Sequence, residues 1–300
     1  MHIFLITERL SNMKKVAILY IALGRYTVFW DDFYKSCEEY LNPCEKHYFI
    51  WTDNPTPAMH GKNITTIPAQ KKGWPYDSLL RFEMFLEREK ELRDFDYIFF
   101  FNANFQFYNP VDLAEIAPCE WHDGLVAGLH PGRSGDLWRD VPDKFPYERR
   151  PESTACIPYG HGKHYVCGAF NGGTSAAFLK MCHELAKNIR TDLANDIVAR
   201  VDDESHLNAY VSDKKYLLVG RAYGFPEGMI KKIPPRQRVM IKIISRAKDS
   251  PKYGGTQWLR GNTDKKMPTG FFAKCVRGTL HGISALIPIR SVRHKIRSLY

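Results

Sequence analysis

The chain lacks the cysteine and histidine patterns that mark most disulfide frameworks and zinc sites. Its seven cysteines, at positions 37, 44, 119, 156, 167, 182 and 275, form no Cys-x-x-Cys pair, and its eleven histidines form no His-Glu-x-x-His motif. An odd number of scattered cysteines argues against a disulfide framework and against a structural zinc site. We therefore expect a protein of a reducing compartment, the cytosol.

Long hydrophobic runs are also missing. No apolar stretch approaches the roughly 20 residues that span a bilayer. The first residues, MHIFLITERLSN, lack the basic segment and cleavage site of a signal peptide. The 44% of hydrophobic residues is nevertheless enough for a sizeable core. These features predict a cytoplasmic, folded protein.

Acidic residues are scarce near the C-terminus. After Gly228 there are 17 Lys and Arg against only Asp249 and Asp264, a net charge of +15, whereas the preceding residues carry −5. This asymmetry predicts an anionic partner. The sequence GFFAKCVRGTLHGISALIPIRSVRHKIRSLY predicts a basic amphipathic surface that holds the protein at the anionic inner face of the plasma membrane. No RNA-binding motif accompanies the charge, so we expect no nucleic-acid partner.

The first 110 residues alternate between two kinds of segment. KKVAILYIALG (14–24), KHYFIWTDN (46–54) and YIFFFNAN (97–104) predict buried strands. PYDSLLRFEMFLEREKELRDF (75–95) predicts one amphipathic helix. Alternating strands and helices predict an α/β fold with a mostly parallel sheet flanked by helices, as is typical of nucleotide-binding domains.

The later part of the chain continues the α/β pattern. HYVCGAFNGGTSAAFLKMCHELAKNI predicts a strand, a glycine turn and a helix capped by Thr174 or Ser175. DDESHLNAYV predicts a further helix that opens with acidic residues, and KKYLLVGRAYGFPEG predicts a last strand and turn. We find no internal repeats.

Asn102 and Asn104 follow the strand YIFFF, at the edge of the sheet where ligands bind in such folds. Side chains at i and i+2 of an extended chain point the same way. Two aspartates here would indicate a divalent-metal site for a nucleotide diphosphate. Two asparagines leave open a ligand site that works without metal, or a strand end with turn-forming residues.

Four motifs occur in a fixed order: GLHPG, YERRPES, CGAFNGGT and DDESHLNAY. Together they resemble glycosyltransferase family 6, which includes the histo-blood-group A and B transferases and the α-1,3-galactosyltransferase. The resemblance runs from about Lys15 to about Glu227. It implies an A-type glycosyltransferase fold as a catalytic domain of residues 13–230, followed by a basic C-terminal segment of residues 231–300. It also implies a UDP-sugar donor and a retaining transfer that makes an α-1,3 linkage.

The resemblance also bears on the asparagine pair. Most family members have Asp-x-Asp at this place, whereas bacterial members with Asn-x-Asn work without metal. A neutral amide is a poorer ligand for a hard cation than a carboxylate, but it can donate hydrogen bonds to phosphate or ribose. We expect no metal and no requirement for Mn²⁺. Arg246, Lys248 and Lys252 are then the candidates that offset the diphosphate charge.

The family pattern assigns roles to individual residues. Glu204 is the expected catalytic carboxylate, either a nucleophile or an electrostatic stabiliser of an oxocarbenium-like centre that also positions the acceptor. The expected donor contacts are Ile21, Ala22, Leu23, Tyr26, Arg81, Asn102, Asn104, Cys167, Gly168, Ala169, Asp203, Lys248 and Lys252. The expected acceptor contacts are Trp74, His130, Glu204 and His206.

Specificity is less sharply defined by the sequence. The donor-specificity triplet Cys167–Gly168–Ala169 leaves UDP-galactose and UDP-N-acetylgalactosamine open, and we favour the latter because Asn-x-Asn relatives use it. The expected acceptor is a fucosylated galactoside, Fuc-α-1,2-Gal, although Val201 stands where blood-group enzymes have tryptophan. The alternative is an inactive UDP-sugar- or glycan-binding protein on the same fold, against which the retained Glu204 argues.

Overall fold

A computed structural model of the protein describes residues 13–134, 141–250, 252–264 and 266. The amphipathic surface predicted near the C-terminus, from residue 270 onward, lies outside the described residues. The strands are β1 (Lys15–Ile21), β2 (Leu41–Asn42), β3 (Glu45–Thr52), β4 (Ile64–Pro68), β5 (Tyr97–Phe101), β6 (Phe105–Phe107), β7 (Val111–Asp112), β8 (Leu125–Leu129), β9 (Val166–Thr174), β10 (Leu217–Val219), β11 (Tyr223–Pro226) and β12 (Ile243–Ser245). The α-helices are α1 (Trp30–Tyr40), α2 (Tyr76–Leu79), α3 (Arg81–Leu86), α4 (Glu89–Leu92), α5 (Leu113–Ile116), α6 (Ser175–Ala194), α7 (Asp202–Val211) and α8 (Thr256–Leu259).

A seven-stranded sheet organises the described residues, in the order β10-β8-β9-β5-β1-β3-β4. All neighbouring pairs in it are parallel except those of β9, which runs antiparallel to β5 and β8. The predicted mostly parallel sheet is therefore confirmed. The reversal of β9 matters for function, because its first residues meet the carboxyl ends of β5 and β8 at one edge of the sheet.

Helices cover both faces of this sheet, which explains why β1 is apolar from Val16 onward. Val16, Ile18 and Tyr20 pack with the aromatic side chains of α1 on one face. Ala17 and Leu19 pack on the other face with α3 and α6. Successive residues of a strand point to opposite faces, so a strand buried on both sides shows no polar alternation.

The segment predicted as one long helix over residues 75–95 is broken into α2, α3 and α4. The backbone leaves helical geometry at Leu80 (φ −90°, ψ 9°) and at Arg88 (φ −115°, ψ 18°). Leu79, Phe82 and Leu92 are nevertheless buried as the periodicity predicts. The spacing of apolar residues predicts which side chains face the core. These side chains remain buried even though the helix is interrupted.

The glycine turn predicted before α6 is instead the end of strand β9. A Cβ atom on Gly172 would lie 2.4 Å from Cδ1 of Phe99, and one on Gly173 would lie 2.1 Å from the carbonyl oxygen of Gly124. These glycines permit a close approach of neighbouring strands rather than a turn. The predicted cap is confirmed, since the hydroxyl of Thr174 accepts the amide N–H of Ala177 at 3.4 Å.

A second, three-stranded sheet joins the C-terminal segment to the preceding part of the chain, in the order β11-β12-β6. Strand β12 lies beyond residue 231 yet pairs antiparallel with β6. Residues 243–245 of the predicted C-terminal segment thus pair with a strand of the predicted catalytic domain, and the division at residue 230 stays a prediction. Among the described residues, no helix has the length and apolarity required to cross a membrane.

Candidate active site

Two cavities lie at the edge of the large sheet where β1, β5 and β8 end and β9 begins. The larger has a volume of about 600 Å³ and the smaller about 160 Å³. Asn102 and Lys248 line both of them, so the cavities share a wall. This edge is where ligands bind in open α/β sheets.

The asparagine pair forms a hydrogen-bonded link between two parts of the fold. The Nδ2 amide of Asn102 donates to Oδ1 of Asn104 at 2.8 Å. The Nδ2 amide of Asn104 donates in turn to Oγ of Ser245 at 3.0 Å and to the carbonyl of Arg246 at 2.8 Å. The pair thus ties the end of β5 to the end of β12 and fixes the segment that carries Lys248.

This arrangement does not fit a Mn²⁺ site built on the two asparagines. Neither side chain carries charge, Asn104 is buried, and its Oδ1 already accepts a hydrogen bond. A hard divalent cation prefers carboxylate oxygens. Asp249 brings one carboxylate to the larger cavity, from a different segment.

Cations surround the smaller cavity, although not all of those predicted. Nζ of Lys248 lies 5.2 Å from the ring centre of Tyr26 and forms no ion pair within the described part of the chain. Arg246 instead pairs with Glu227 at 3.1 Å, and it lines the larger cavity. Lys252 is not among the lining residues of either cavity; its ammonium pairs with Asp32 at 2.8 Å. Lys248 is thus the predicted cation best placed to meet an anion.

Arg260 and Lys71 also line the smaller cavity, and the sequence did not single out either one. The Arg260 guanidinium lies 5.1 Å from the ring centre of Trp74. Helix α8 packs on the loop after β1, where the amide N–H of Arg25 donates to the carbonyl of Leu259 at 2.6 Å. This contact across more than 230 residues brings Arg260 to the cavity, and no local pattern announces it.

The predicted nucleotide contacts are only partly assembled at this cavity. Ile21, Leu23 and Tyr26 line it. Ala22 is fully buried, and its carbonyl accepts the hydroxyl of Thr52 at 2.7 Å. Trp74, predicted on the acceptor side, lines the smaller cavity together with Tyr26.

Arg81 and Asp203 form a buried ion pair at the inner end of the smaller cavity. Their closest nitrogen and oxygen atoms are 2.7 Å apart, and both side chains are at most 10% exposed. Burial raises the pKa of Asp203 to about 6, although the Arg81 charge acts to lower it. The carboxylate is therefore ionised at neutral pH. The guanidinium also lies over the rings of Phe82 and Phe100, which exclude water from the pair.

Glu204 follows directly, in the first turn of α7. Its Oε2 accepts the backbone N–H of Gly168 at 2.8 Å. Burial raises the pKa of Glu204, and the Gly168 hydrogen bond opposes this shift. A Cβ atom on Gly168 would lie 3.0 Å from Oδ2 of Asp203 and 3.3 Å from Cβ of Glu204. The glycine thus lets β9 approach both carboxylates closely.

The two predicted acceptor histidines have different surroundings. His130 lines the larger cavity, as do Cys167 and Ala169. Burial, followed by the nearby charge of Arg133, lowers the pKa of His130 to about 4, so its imidazole is neutral. His206 is 2% exposed and lies 3.7 Å from Oδ2 of Asp192. His206 is not among the lining residues of either cavity, and its contact with an acceptor stays a prediction.

The sequence matches the family model of glycosyltransferase family 6 over residues 5–251. The chain belongs to glycosyltransferase family 6. The α/β architecture described above is accordingly the A-type glycosyltransferase fold that the motifs predicted.

Several characterised relatives are similar over most of the chain. The O-antigen biosynthesis glycosyltransferase WbnI of Escherichia coli is 33% identical over 71% of this chain and 88% of its own length. The globoside α-1,3-N-acetylgalactosaminyltransferase 1 of Mus musculus is 31% identical over 82% of this chain and 68% of its own. The histo-blood group ABO system transferase 2 of Rattus norvegicus is 29% identical over 68% of this chain and 60% of its own.

The YERRPES motif of this family-6 glycosyltransferase is hydrogen-bonded to the residues that precede helix α7. The carboxylate of Glu148 accepts the backbone N–H groups of Arg150 at 3.0 Å and of Arg200 at 2.7 Å. The Arg150 guanidinium donates to the same carboxylate at 2.6 Å. These contacts hold the pKa of Glu148 at about 2, against the effect of burial. Since Arg200 lies two residues before the start of α7, Glu148 fixes the position at which Glu204 enters the site.

We expect the activity of this glycosyltransferase to have an acid limb near pH 6. In the roles that the family resemblance predicts, Asp203 and Glu204 act as ionised carboxylates, and burial raises the pKa of both. Activity is present above the pKa of about 6 and is lost as the pH falls through it. One titrating group lowers kcat/KM about tenfold per pH unit. A pH profile of kcat/KM tests this, and a flat profile down to pH 5 would contradict it, provided that the fold is intact at pH 5.

Proposed function

We propose that this family-6 enzyme transfers N-acetylgalactosamine or galactose from a UDP-sugar to the 3-hydroxyl of a galactose in Fuc-α-1,2-Gal, with retention of configuration. The observation that carries the proposal is the carboxylate of Glu204, held by Gly168 beside the buried Arg81–Asp203 pair. The printed names of the relatives, which include an α-1,3-N-acetylgalactosaminyltransferase and an ABO transferase, support it further.

The two cavities suggest how the substrates divide between them. The uridine fits the smaller cavity, where Tyr26 offers an aromatic face and Lys248 and Arg260 offer charge to the diphosphate. The donor sugar then points towards Arg81 and Asp203. The larger cavity, with His130 on its wall, is left for the acceptor galactose.

The reaction exchanges one bond at the anomeric carbon for another. The bond from this carbon to the β-phosphate oxygen breaks, and UDP leaves with the bonding electron pair. The acceptor oxygen forms the new bond, and its proton leaves with the UDP phosphate. Glu204 serves either as the nucleophile of a double displacement or as the charge that stabilises an oxocarbenium-like centre. Lys248 and Arg260 stabilise the negative charge on the departing diphosphate.

We propose that these two cations take the place of a metal ion. Lys248→Ala and Arg260→Ala should each weaken UDP binding about 10- to 100-fold, because each removes a charge-assisted contact worth roughly 1.5–3 kcal/mol. Lys231→Ala is the control, since Lys231 is exposed and is not a lining residue of either cavity. Calorimetric titration with UDP, with and without EDTA, measures the effect. Binding that EDTA abolishes would contradict the proposal and make Asp249 the first residue to substitute.

The transfer assay tests the function itself. Wild-type protein is incubated with 2'-fucosyllactose and either UDP-N-acetylgalactosamine or UDP-galactose, in EDTA or in Mn²⁺. We expect EDTA-resistant transfer, with N-acetylgalactosamine preferred. Transfer only in Mn²⁺ would refute metal independence but keep the enzyme. UDP binding without transfer to any of a panel of galactosides would favour the alternative, a binding protein on the same fold.

We also propose that the enzyme works at the anionic inner face of the membrane. The connection between β11 and β12 exposes Met229, Val239 and Met240, the last two by 63% and 68%. Lys231, Lys232 and Arg236 in the same connection are exposed and form no ion pairs in the part of the chain that the structure describes. Exposed apolar side chains among unpaired cations are typical of surfaces that bind anionic lipid.

Hydrogen bonds hold the connection between β11 and β12 against the rest of the fold. The side-chain amide of Asn109 donates to the carbonyls of Arg238 at 2.9 Å and Ile241 at 2.6 Å. Strands β11 and β12, which carry the connection, contribute Tyr223 and Ser245 to the larger cavity. A docked connection would therefore bring a membrane-linked acceptor close to the site.

Vesicle sedimentation tests this surface directly. K231A/K232A/R236A should lower the affinity for phosphatidylglycerol vesicles about 100-fold, since each basic residue near an anionic surface contributes roughly 1 kcal/mol. The exposed lysines of K62A/K90A/K187A form the matched control. Raised salt should weaken wild-type binding. Unchanged binding by the first variant would refute this surface, and the residues beyond 266 would be tested next.

A further inference from the structure

Three side chains of different chemistry converge at the edge of the larger cavity, which His130 and Cys167 line. A ring nitrogen of His130, Sγ of Cys167 and a carboxylate oxygen of Glu204 all lie within 4.8 Å of one another. They come from three separate elements: the residue after β8, strand β9 and helix α7. We propose that this cluster binds a Zn²⁺ ion, and that the bound ion blocks sugar transfer.

The ligand set selects the metal. Imidazole nitrogen, thiolate sulfur and carboxylate oxygen are the three protein ligands that Zn²⁺ accepts in tetrahedral sites. Mg²⁺ and Mn²⁺ prefer oxygen ligands, and a sulfur atom disfavours them. The cluster is also separate in kind from the asparagine pair, which offers only amide groups. The proposed Zn²⁺ is therefore a softer ion than the one that family members with Asp-x-Asp use.

The geometry requires only small movements of side chains. Zinc bonds of roughly 2.0–2.3 Å place two ligands of a tetrahedral site about 3.5 Å apart. The three atoms, which lie within 4.8 Å of one another, must therefore close by at most about 1.3 Å, which side-chain rotation can supply. Oε2 of Glu204 can remain on the Gly168 N–H while the carboxylate, which also accepts hydrogen bonds from the side chains of Tyr165 and Cys167, exchanges the thiol proton of Cys167 for the ion. Such a hydrogen bond behind a ligand orients it, as in known metal sites.

One hydrogen bond of His130 limits the expected affinity of the cluster for Zn²⁺. Nδ1 of His130 accepts the backbone N–H of Gly132 at 3.1 Å. Metal binding through either ring nitrogen requires this hydrogen bond to be exchanged or the ring proton to move. With three protein ligands and this loss, we expect micromolar rather than nanomolar affinity.

Binding changes the state of two of the ligands. The ion replaces the thiol proton of Cys167, which passes to solvent. It also occupies an electron pair of Glu204, which is then not available to the anomeric carbon. The open fourth position faces the cavity, where an acceptor would sit. We expect inhibition that is competitive with the acceptor, and this consequence rests on the proposed transferase function, whereas the binding itself does not.

Calorimetry and cobalt absorption test the site without any activity assay. The protein is stripped with chelator, dialysed and titrated with Zn²⁺ in two buffers of different ionisation enthalpy. We expect one ion bound with release of about one proton. Co²⁺ in place of Zn²⁺ should give a thiolate-to-metal charge-transfer band in the near ultraviolet. Cys167→Ser should lose this band and bind Zn²⁺ at least about tenfold more weakly.

Cys119→Ser is the matched control, because Cys119 is exposed and its Sγ lies 3.4 Å from Nδ1 of His122. Affinity unchanged in Cys167→Ser would overturn the inference. Loss of binding in Cys119→Ser would place the ion on that surface pair and overturn it as well. Cys167→Ala serves as a second variant if the serine variant unfolds early. Failure of every transfer assay with zinc binding intact would refute the proposed function and leave the metal site standing.

Discussion

Replacing Glu204 by glutamine should lower the rate of transfer by at least about 10³-fold. Glutamine has nearly the same shape, and its oxygen can still accept the Gly168 N–H that Glu204 accepts at 2.8 Å. It cannot bond to the anomeric carbon or balance a positive charge there. Because burial of the carboxylate raises its pKa, the neutral side chain should leave the fold at least as stable.

Initial rates, UDP affinity and thermal unfolding of the variant would be measured together. Glu184→Gln is the control, since Glu184 lies exposed on α6 and loses the same charge far from the cavities. We expect full activity in Glu184→Gln and unchanged UDP affinity in both variants. Transfer by Glu204→Gln within tenfold of wild type would remove Glu204 from the mechanism.

Intact mass spectrometry can separate the two roles left open for Glu204. Wild-type protein is incubated with the donor alone and quenched in acid. A covalent sugar adduct, absent from Glu204→Gln, would identify the nucleophile of a double displacement. Consistent absence of an adduct, with turnover intact, would favour electrostatic stabilisation.

Replacing Arg81 by methionine should lower the free energy of unfolding by about 3–5 kcal/mol, because Asp203 would remain buried without its cation. The pair is 2.7 Å apart and at most 10% exposed. Methionine itself fits the place well, since the guanidinium already lies against the rings of Phe82 and Phe100. The cost should therefore come from the unpaired carboxylate rather than from lost packing.

The double variant R81M/D203N separates these causes. Removing both charges should recover most of the lost stability, as replacement of a buried ion pair by neutral groups often does. Transfer should remain at least about 100-fold below wild type in both variants, because the donor sugar has lost its partners. Urea unfolding and initial rates measure the two effects separately.

Arg190→Met is the matched control for stability. Its guanidinium pairs with Glu83, as Arg81 pairs with Asp203, but its side chain is 68% exposed. An exposed pair contributes at most about 1 kcal/mol. If Arg81→Met and Arg190→Met cost the same, burial is not what makes the Arg81–Asp203 pair sensitive.

Several parts of the fold were predictable because local chemistry decides them. A strand buried on both faces must be apolar along its buried stretch, and residues 16–20 of β1, 48–51 of β3 and 98–101 of β5 are. A short polar side chain before a helix satisfies its free N–H groups, and Thr174 does so for α6. The acidic first turn of α7 likewise fits the helix dipole, and it places Asp203 and Glu204 side by side.

The roles of other residues depend on their neighbours in the folded structure, which the sequence does not reveal. Gly172 and Gly173 looked like a turn, but they let β9 approach Phe99 and the backbone of Gly124. His206 looked available, yet α7 turns it towards Asp192 and away from the cavities. A sequence pattern gives the type of residue and its spacing, but not the neighbour that limits its space.

The sequence by itself determined the family, the mostly parallel α/β sheet and the residues Glu204, Asp203 and Arg81 as the candidate centre. The family and the candidate residues rest on short motifs that resemble those of the family, and the sheet rests on the periodicity of apolar residues. Each of these signals lies within a short stretch of sequence. Only the tertiary structure brought Arg260 beside Trp74, placed β12 next to β6 and drew His130, Cys167 and Glu204 together. Such contacts join residues that are tens to hundreds of positions apart, and they are decided by how whole elements pack.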